Sequence, residues 1–351
     1  MDHQNIKRPV DDGILILDYG SQYTLLIARR LREIGIYAEI IDGIATKAPE
    51  DFQFHGIILS GGPDSVHTED GRQLPSWVLD AKKPILGICY GMQLLAQEFG
   101  GQLRSGEARE YGSAKLILNL EDDCRASQSL KNLPHEQTVW MSHGDDISHL
   151  EDSFRIIGKT EDGVIAAVAH KELPLLGLQF HPEVQHSDHG KDILEAFAVG
   201  VCSANINWQA DDVVKATIKY VKDTVGEGNV LMAVSGGVDS TVAVCLLTEA
   251  LGADKVTAVF VDHGLLRKNE AEWVHEKITA MGVHLEVLNR RESFYEALAG
   301  VDDPEQKRKI IGRKFISEFE AFAKERSGFT HLGQGTLYPD VIESAGHGAG
   351  A

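Results

Sequence analysis

The stretch that most constrains this chain is residues 230–241, Val-Leu-Met-Ala-Val-Ser-Gly-Gly-Val-Asp-Ser-Thr. An apolar run of strand character (230–234) ends in Ser235-Gly236-Gly237. A helical pattern then opens at Val238-Asp239-Ser240-Thr241 and continues through Val242, Leu246 and Leu247 to Gly252. Strand, glycine turn and helix N-terminus in direct succession belong to α/β folds. The unpaired N–H groups and the positive end of the helix dipole suit phosphate. G-x-x-x-x-G-K-[ST] is absent and no lysine follows the glycines, so this is not a Walker A loop. Backbone amides and the Ser and Thr hydroxyls would hold the anion, and Asp239 could hold a magnesium ion. An ordinary strand-to-helix turn is the competing reading of the same letters.

At about 100–200 residues per domain, a chain of 351 residues implies two domains. Its 43% hydrophobic and 25% charged residues can bury a large core. A formal charge of −19 argues against non-specific nucleic-acid binding, which needs a basic face, but leaves room for a nucleotide in a local site. The four cysteines (Cys89, Cys124, Cys202, Cys245) are widely spaced, which disfavours zinc and a disulfide framework. The N-terminus lacks a basic and then apolar signal pattern. No apolar run reaches the roughly 18 residues a membrane helix needs. A cytoplasmic protein without membrane or nucleic-acid partners is expected.

In the first half, Gly13–Leu17, Tyr37–Ile41, His55–Leu59 and Pro84–Ile88 read as buried strands alternating with helices. The pattern predicts a mostly parallel sheet flanked by helices, with ligands beyond the carboxyl ends of the strands. Three strand ends carry chemistry. Ser60-Gly-Gly-Pro-Asp-Ser65 nearly repeats 235–240, but Pro63 removes a donor and no helical period follows. It reads as a loop whose glycine amides could face an oxyanion. Gly87-Ile-Cys89-Tyr-Gly91 leaves a strand and enters a helix, the layout of a nucleophile elbow with thiol for hydroxyl. A helix N-terminus favours thiolate there, and the Tyr90 N–H points where an oxyanion would form. A buried cysteine that only packs is the alternative, and is the reading adopted for Cys124, Cys202 and Cys245. Last, Leu175–Phe180 leads into His181-Pro182-Glu183. Extended geometry through Pro182 would put His181 and Glu183 on one face, as base and orienter.

With these motifs in place, residues 14–200 resemble the class I (triad-type) glutamine amidotransferases: Ser-Gly-Gly-Pro (60–63), Gly-Ile-Cys-Tyr-Gly-Met-Gln (87–93) and His-Pro-Glu (181–183). The resemblance implies Cys89 as nucleophile, His181 as base and Glu183 as its partner. It implies Gly62 and Tyr90 amides as oxyanion donors, with Gln93 and His143 near the substrate glutamine.

The second half breaks from the first at the polar stretch 201–212. The expected domains are 13–205 and 206–344, followed by a Gly/Ala-rich tail, 345–351. Strands at 256–261, 283–288 and 329–332 alternate with helices at 213–221, 272–281, 292–300 and 303–326, again a parallel α/β pattern. Ser235–Ser240 resembles the pyrophosphate loop of the N-type ATP pyrophosphatases. Val261–Arg267, Asp303–Gly312 and Gly333–Ser344 resemble the GMP synthase family in particular. That resemblance implies glutamine, xanthosine monophosphate (XMP) and ATP as substrates, Mg2+ on Asp239, and an ATP site at Ser235, Gly236, Gly237, Val238, Asp239, Ser240 and Thr241. It also implies an XMP contact at Arg308, for which a solvated helix charge is the alternative. Members of that family continue past position 351 into a dimerisation segment, so a homodimer is expected of the full-length family. The chain is expected to be a shortened form that hydrolyses glutamine but makes GMP poorly. The other outcome is a glutaminase whose second half only binds or senses nucleotide.

Overall fold

The computed structural model describes residues 10–63, 72–120, 125–326 and 328–335. Asp64, Ser65, Cys124, residues 336–344 and the 345–351 tail lie outside the described residues. The chain divides into two compact units, Pro9–Ala210 and a second from Asp211 onward. Residues 206–210 belong to the first: Asn207 Nδ2 donates to the Asp12 carboxylate at 2.8 Å, and Trp208 N donates to Gly35 O at 2.9 Å.

The first unit is built on a nine-stranded sheet. Strands β1 (Asp12–Asp18), β2 (Ala38–Asp42), β3 (Gln53–Leu59) and β4 (Ile85–Ile88) are followed by β5 (Gln102–Leu118), β6 (Glu136–His149), β7 (Phe154–Thr160), β8 (Ile165–His170) and β9 (Leu175–Leu178). Their spatial order is β2-β1-β3-β4-β9-β8-β7-β5-β6. The pairs from β2 to β9 are parallel, whereas those from β9 to β6 are antiparallel. The sheet is therefore mixed, with an antiparallel arm that the run of apolar segments did not announce.

The parallel half explains its own sequence. Successive side chains of a strand face opposite sides of a sheet, and here both sides are covered, so the strands read as unbroken apolar runs. Ile14, Ile16 and Ile58 pack on one face with Ile27 and Leu31 of α1 (Thr24–Glu33). Leu15, Leu17 and Leu59 pack on the other with Met92 and Leu95 of α3 (Tyr90–Glu98). The short helices α2 (Ser76–Asp80), α4 (Arg125–Gln128) and α5 (Gly190–Glu195) complete the unit.

The second unit is a four-stranded sheet with strand order β12-β11-β10-β13. All its pairs are parallel: β10 (Val230–Ala233), β11 (Val256–Asp262), β12 (Leu285–Asn289) and β13 (His331–Gly333). Helices α6 (Ala210–Val225), α7 (Val238–Leu251), α8 (Glu270–Ala280), α9 (Arg291–Leu298) and α10 (Pro304–Glu325) connect and flank them. Met232, Phe260, Val244, Val274 and Ile278 fill one face. Leu231, Val259, Phe294, Phe319 and Phe322 fill the other. Asp303 caps α10 by accepting from Gln306 N at 2.7 Å, with Pro304 in the first turn. Among the described residues, no helix is long and apolar enough to cross a membrane.

Phe294 is fully buried on the α9/α10 side of the second sheet. Phe294→Ala is expected to cost about 3–5 kcal/mol, read as a lower urea midpoint for the transition of the second unit.

Candidate active site

Cys89 sits at the corner between β4 and α3 with φ 51° and ψ −105°. A non-glycine residue held in such a sparsely populated region costs about 1–3 kcal/mol. The neighbours hold it there. Cys89 N donates to Leu178 O of β9 at 2.7 Å, and Gly91 N donates to Ser60 O at 3.1 Å. A Cβ on Gly87 would lie 2.5 Å from Gly91 O, and one on Gly91 would run into Leu59 O. Only glycine fits at either position, which explains the G-x-C-x-G spacing physically. Cys89 is 4% exposed, and its thiol donates to Ser142 O at 3.5 Å.

His181 and Glu183 meet beside it. His181 Nδ1 lies 2.7 Å from Glu183 Oε1, and the two residues are 3% and 0% exposed. The expected extended path through Pro182 is not what joins them. β9 stops at Leu178 and residues 182–183 form a turn. The ladder has already ended four residues before Pro182, and the proline, which has no N–H, does not resume it. The turn is tied down by His181 N to Trp140 O (3.0 Å), Ser187 Oγ to His181 O (2.6 Å) and Arg30 Nε to Glu183 O (3.1 Å). Tyr23 packs edge-on against the imidazole, with ring centres 5.1 Å apart.

Burial alone would lower the His181 pKa. The charge of Glu183, the hydrogen bonds to Cys89 and Glu183, and the charge of Cys89 outweigh it and raise the value well above that of an ordinary imidazole. With Nδ1 on Glu183, Nε2 is the nitrogen left for the sulfur. The arrangement can pass a proton between sulfur and imidazole while a buried carboxylate holds the ring's orientation.

Ser60, Gly61 and Gly62 close the other side. Ser60 Oγ accepts from Tyr19 N at 2.9 Å. A Cβ on Gly61 would be 3.0 Å from His181 Cε1, and one on Gly62 would be 3.4 Å from Tyr90 Cδ1. Gly62 and Tyr90 are thus brought together beside the nucleophile. Gln93 and His143 lie in a buried layer reached from α3 and β6. Gln93 Nε2 donates to Asp145 O at 2.9 Å, and His143 Nδ1 lies 3.1 Å from the same carbonyl. Gln179, which carries no chemistry in the sequence reading, proves to face the sulfur: its Nε2 lies 3.7 Å from Cys89 Sγ. Its only signal in the sequence is its place two residues before His181.

In the second unit the 235–241 loop forms between β10 and α7. Gly236 adopts φ 78°, and a Cβ there would lie 2.6 Å from Val274 Cγ2. Gly237 is the N-cap residue of α7. Ser240 is buried and its hydroxyl closes the turn, accepting from Ser235 N at 3.2 Å and lying 3.1 Å from Ser235 Oγ. Thr241 Oγ1 donates to Gly237 O at 2.8 Å. Ser235, Gly237, Val238 and Asp239 are exposed at the helix N-terminus. Gly335 passes next to Ser240, so the end of β13 borders the loop.

Asp239 is an exposed carboxylate in the first turn of α7. Among the described residues, no group of three or more His, Cys, Asp or Glu is arranged around a metal. One carboxylate completed by phosphate oxygens and water suits Mg2+ bound with a nucleotide, so this donor fits that ion. At the neighbouring strand end, Arg291 Nε and Nη2 grip Asp262 at 2.9 and 2.7 Å, lowering its pKa. Arg308 pairs with Glu305 one turn earlier in α10, both hydrogen bonds 2.9 Å long, and is largely exposed.

Residues 15–201 match the family model "Glutamine amidotransferase class-I", and residues 210–306 match the "PP-loop domain" model. The chain is 45% identical over 336 residues to the glutamine-hydrolyzing GMP synthase of Bacillus cereus (strain ATCC 10987 / NRS 248), covering 95% of this chain and 64% of the relative. It is 45% identical over 342 residues to that of Bacillus thuringiensis (strain Al Hakam), covering 97% and 65%. The chain therefore spans a little under two thirds of the length of these relatives. The solved structure of a glutamine amidotransferase from Thermotoga maritima is 18% identical, with a TM-score of 0.39, covering 70% of this chain and 93% of that one.

Because the folded pKa of His181 lies above the unfolded value of about 6.5, its proton stabilises the fold fully below that pH. This stabilisation is lost as pH rises through the folded value. Glu183→Gln removes the responsible charge, and imidazole 15N NMR should then show His181 losing its proton at lower pH than in the wild type.

Proposed function

Since this chain belongs to the class-I glutamine amidotransferase family, we propose that its first unit hydrolyses glutamine and its second uses ATP, together converting XMP to GMP. One observation carries the first half of this reading: Cys89, strained at the elbow, shares a buried site with the His181–Glu183 hydrogen bond. The relatives' names and the PP-loop match support the second half.

The reaction follows from the geometry. His181 takes the thiol proton, and the sulfur attacks the side-chain amide carbon of glutamine. The oxyanion would face the Gly62 and Tyr90 amides. His181, held toward the imidazolium by Glu183, returns the proton to the departing nitrogen. Ammonia leaves and a glutamyl thioester remains. Water, deprotonated by His181, then releases glutamate and restores the thiol. Gln93 and His143 border the glutamine pocket in this reading.

In the second unit, ATP phosphates lie on the amides and hydroxyls of Ser235, Gly236, Gly237, Val238, Asp239, Ser240 and Thr241. Mg2+ held by Asp239 would neutralise phosphate charge. The oxygen at C2 of XMP attacks the α-phosphorus and pyrophosphate leaves. Ammonia then displaces AMP to give GMP. Arg308 reaches XMP in this reading only by exchanging Glu305 for the ligand. The proposal includes a glutaminase domain that runs through Ala210 rather than ending at 205, an ATP-using domain from Asp211 onward, a cytoplasmic location and a homodimer, as in the full-length family.

Cys89→Ala is expected to cut ammonia release from glutamine on the order of 10³-fold or more; retention of a tenth of the activity would overturn the nucleophile assignment. For the second unit, XMP-dependent ATP–pyrophosphate exchange is expected, and Asp239→Ala should lower it about tenfold or more. Full glutaminase activity with no such exchange would leave the second unit as a nucleotide-binding module.

A further inference from the structure

Two buried side-chain amides stand between the nucleophile and strand β6, and the reaction as written does not use them as a pair. Gln179 is 0% exposed and Gln93 is 3% exposed. Amide oxygen and nitrogen are easily confused, but here the chain of contacts orients both. The Asp145 carbonyl can only accept, so the Gln93 atom 2.9 Å from it is the nitrogen. That nitrogen also lies 3.5 Å from Gln179, which must present its oxygen. The Gln179 nitrogen is then turned to the Cys89 sulfur, 3.7 Å away. The Gln179 backbone is pinned as well, its N donating to Ala166 O at 2.9 Å.

The sulfur therefore has neighbours of opposite preference. Ser142 O, 3.5 Å away, accepts the proton of the thiol and repels a thiolate. The Gln179 N–H repels nothing in the thiolate and hydrogen-bonds to it. A hydrogen bond to an ionised group is roughly twice as strong as one between neutral groups, and more so in a dry site.

We propose that Gln179 is a positioning residue for the glutaminase reaction: its amide N–H holds the Cys89 sulfur as the attacking anion, and the Asp145–Gln93 contact aims that amide. The role acts through Cys89 and rests on reading Cys89 as the nucleophile. Gln93 then serves the reaction from beneath the sulfur as the strut that fixes Gln179.

The test uses the full chain and Gln179→Met, which keeps the side chain's length and removes the donor. Alkylation of Cys89 by iodoacetamide is followed by peptide mass spectrometry, beside kcat and KM for glutamine. At pH 7 alkylation and kcat should both fall roughly tenfold, with KM unchanged. At about pH 10, where a thiol ionises without help, the alkylation deficit should close to within twofold. A pH 7 rate within twofold of wild type, or a deficit that persists at high pH, would overturn the proposal; the latter marks a packing role. If Gln179→Met does not fold, Gln93→Met replaces it. Losing the strut should then give about a threefold pH-reversible deficit, and no deficit would count against the proposal. Failure of the glutaminase reading looks different: the wild type then hydrolyses no glutamine, or Cys89→Ala still does. The alkylation measurements judge Gln179 in either case.

Discussion

The backbone of Cys89 is the constraint on which the first unit's chemistry depends. A positive φ at a residue with a side chain is held only if the surroundings leave no alternative. They do so from three strands at once. β4 delivers the residue, β9 accepts its N–H through Leu178, and Leu59 at the end of β3 leaves room only for Gly91. Those strands are parallel neighbours, so their carboxyl ends lie side by side. The same adjacency places the Ser60–Gly62 loop, the cysteine and the His181 turn around one point. The fold is thus what brings residues far apart in sequence, 60, 89 and 181, to one point.

What could be read from the sequence follows from how strongly each feature constrains its residues. Strands buried on both faces have no freedom to be polar, and so Ile14–Leu17, Ile57–Leu59 and Val256–Val261 are legible as runs. Glycines at 87, 91, 236 and 237 mark turns because any side chain at 87, 91 or 236 would strike backbone or a neighbouring side chain. The antiparallel arm of β5 and β6 was hidden because the buried positions of β6 include Gln137, His143 and Asp145 beside Val139, Met141 and Ile147, which masks the alternation of a strand. Their pairing is also broken between Ser105 and Glu110, so neither period nor length stands out. The spacing of His181 and Glu183 identified the pair, although a turn around Pro182 and not a strand brings them together. Gln93 and Gln179 carry no pattern of their own. An amide serves equally well as a surface residue, and only burial and a fixed donor direction distinguish these two.

The two Ser-Gly-Gly-x-Asp-Ser stretches show how near-identical letters diverge. At 235–240 the second serine folds back on the first, Gly236 takes the left-handed turn and a helix begins, which gathers amides and a dipole at one exposed spot. At 60–63 the serine is spent on Tyr19 N and on its own chain. Its glycines instead lie against His181 and Tyr90. The residue after the two glycines also differs: Val238 opens α7, whereas Pro63 lacks the N–H that a loop amide would offer.

Burial separates the two sites further, for a physical reason. Cys89, His181 and Glu183 are almost wholly enclosed, while Ser235, Gly237 and Asp239 stand in solvent. A proton shared between sulfur and imidazole is governed by the charges beside it, and those act strongly only where water does not screen them. The single carboxylate of Glu183 can therefore override the burial penalty on the imidazolium. Under the proposed function, a nucleotide would bring several charges with it and would enter and leave in every cycle. An open helix terminus meets that demand with dipoles already in place, at no desolvation cost until the ligand arrives. Each unit is thus fitted to the charge that the proposed function gives it: one that must be created inside the protein, and one that arrives already made.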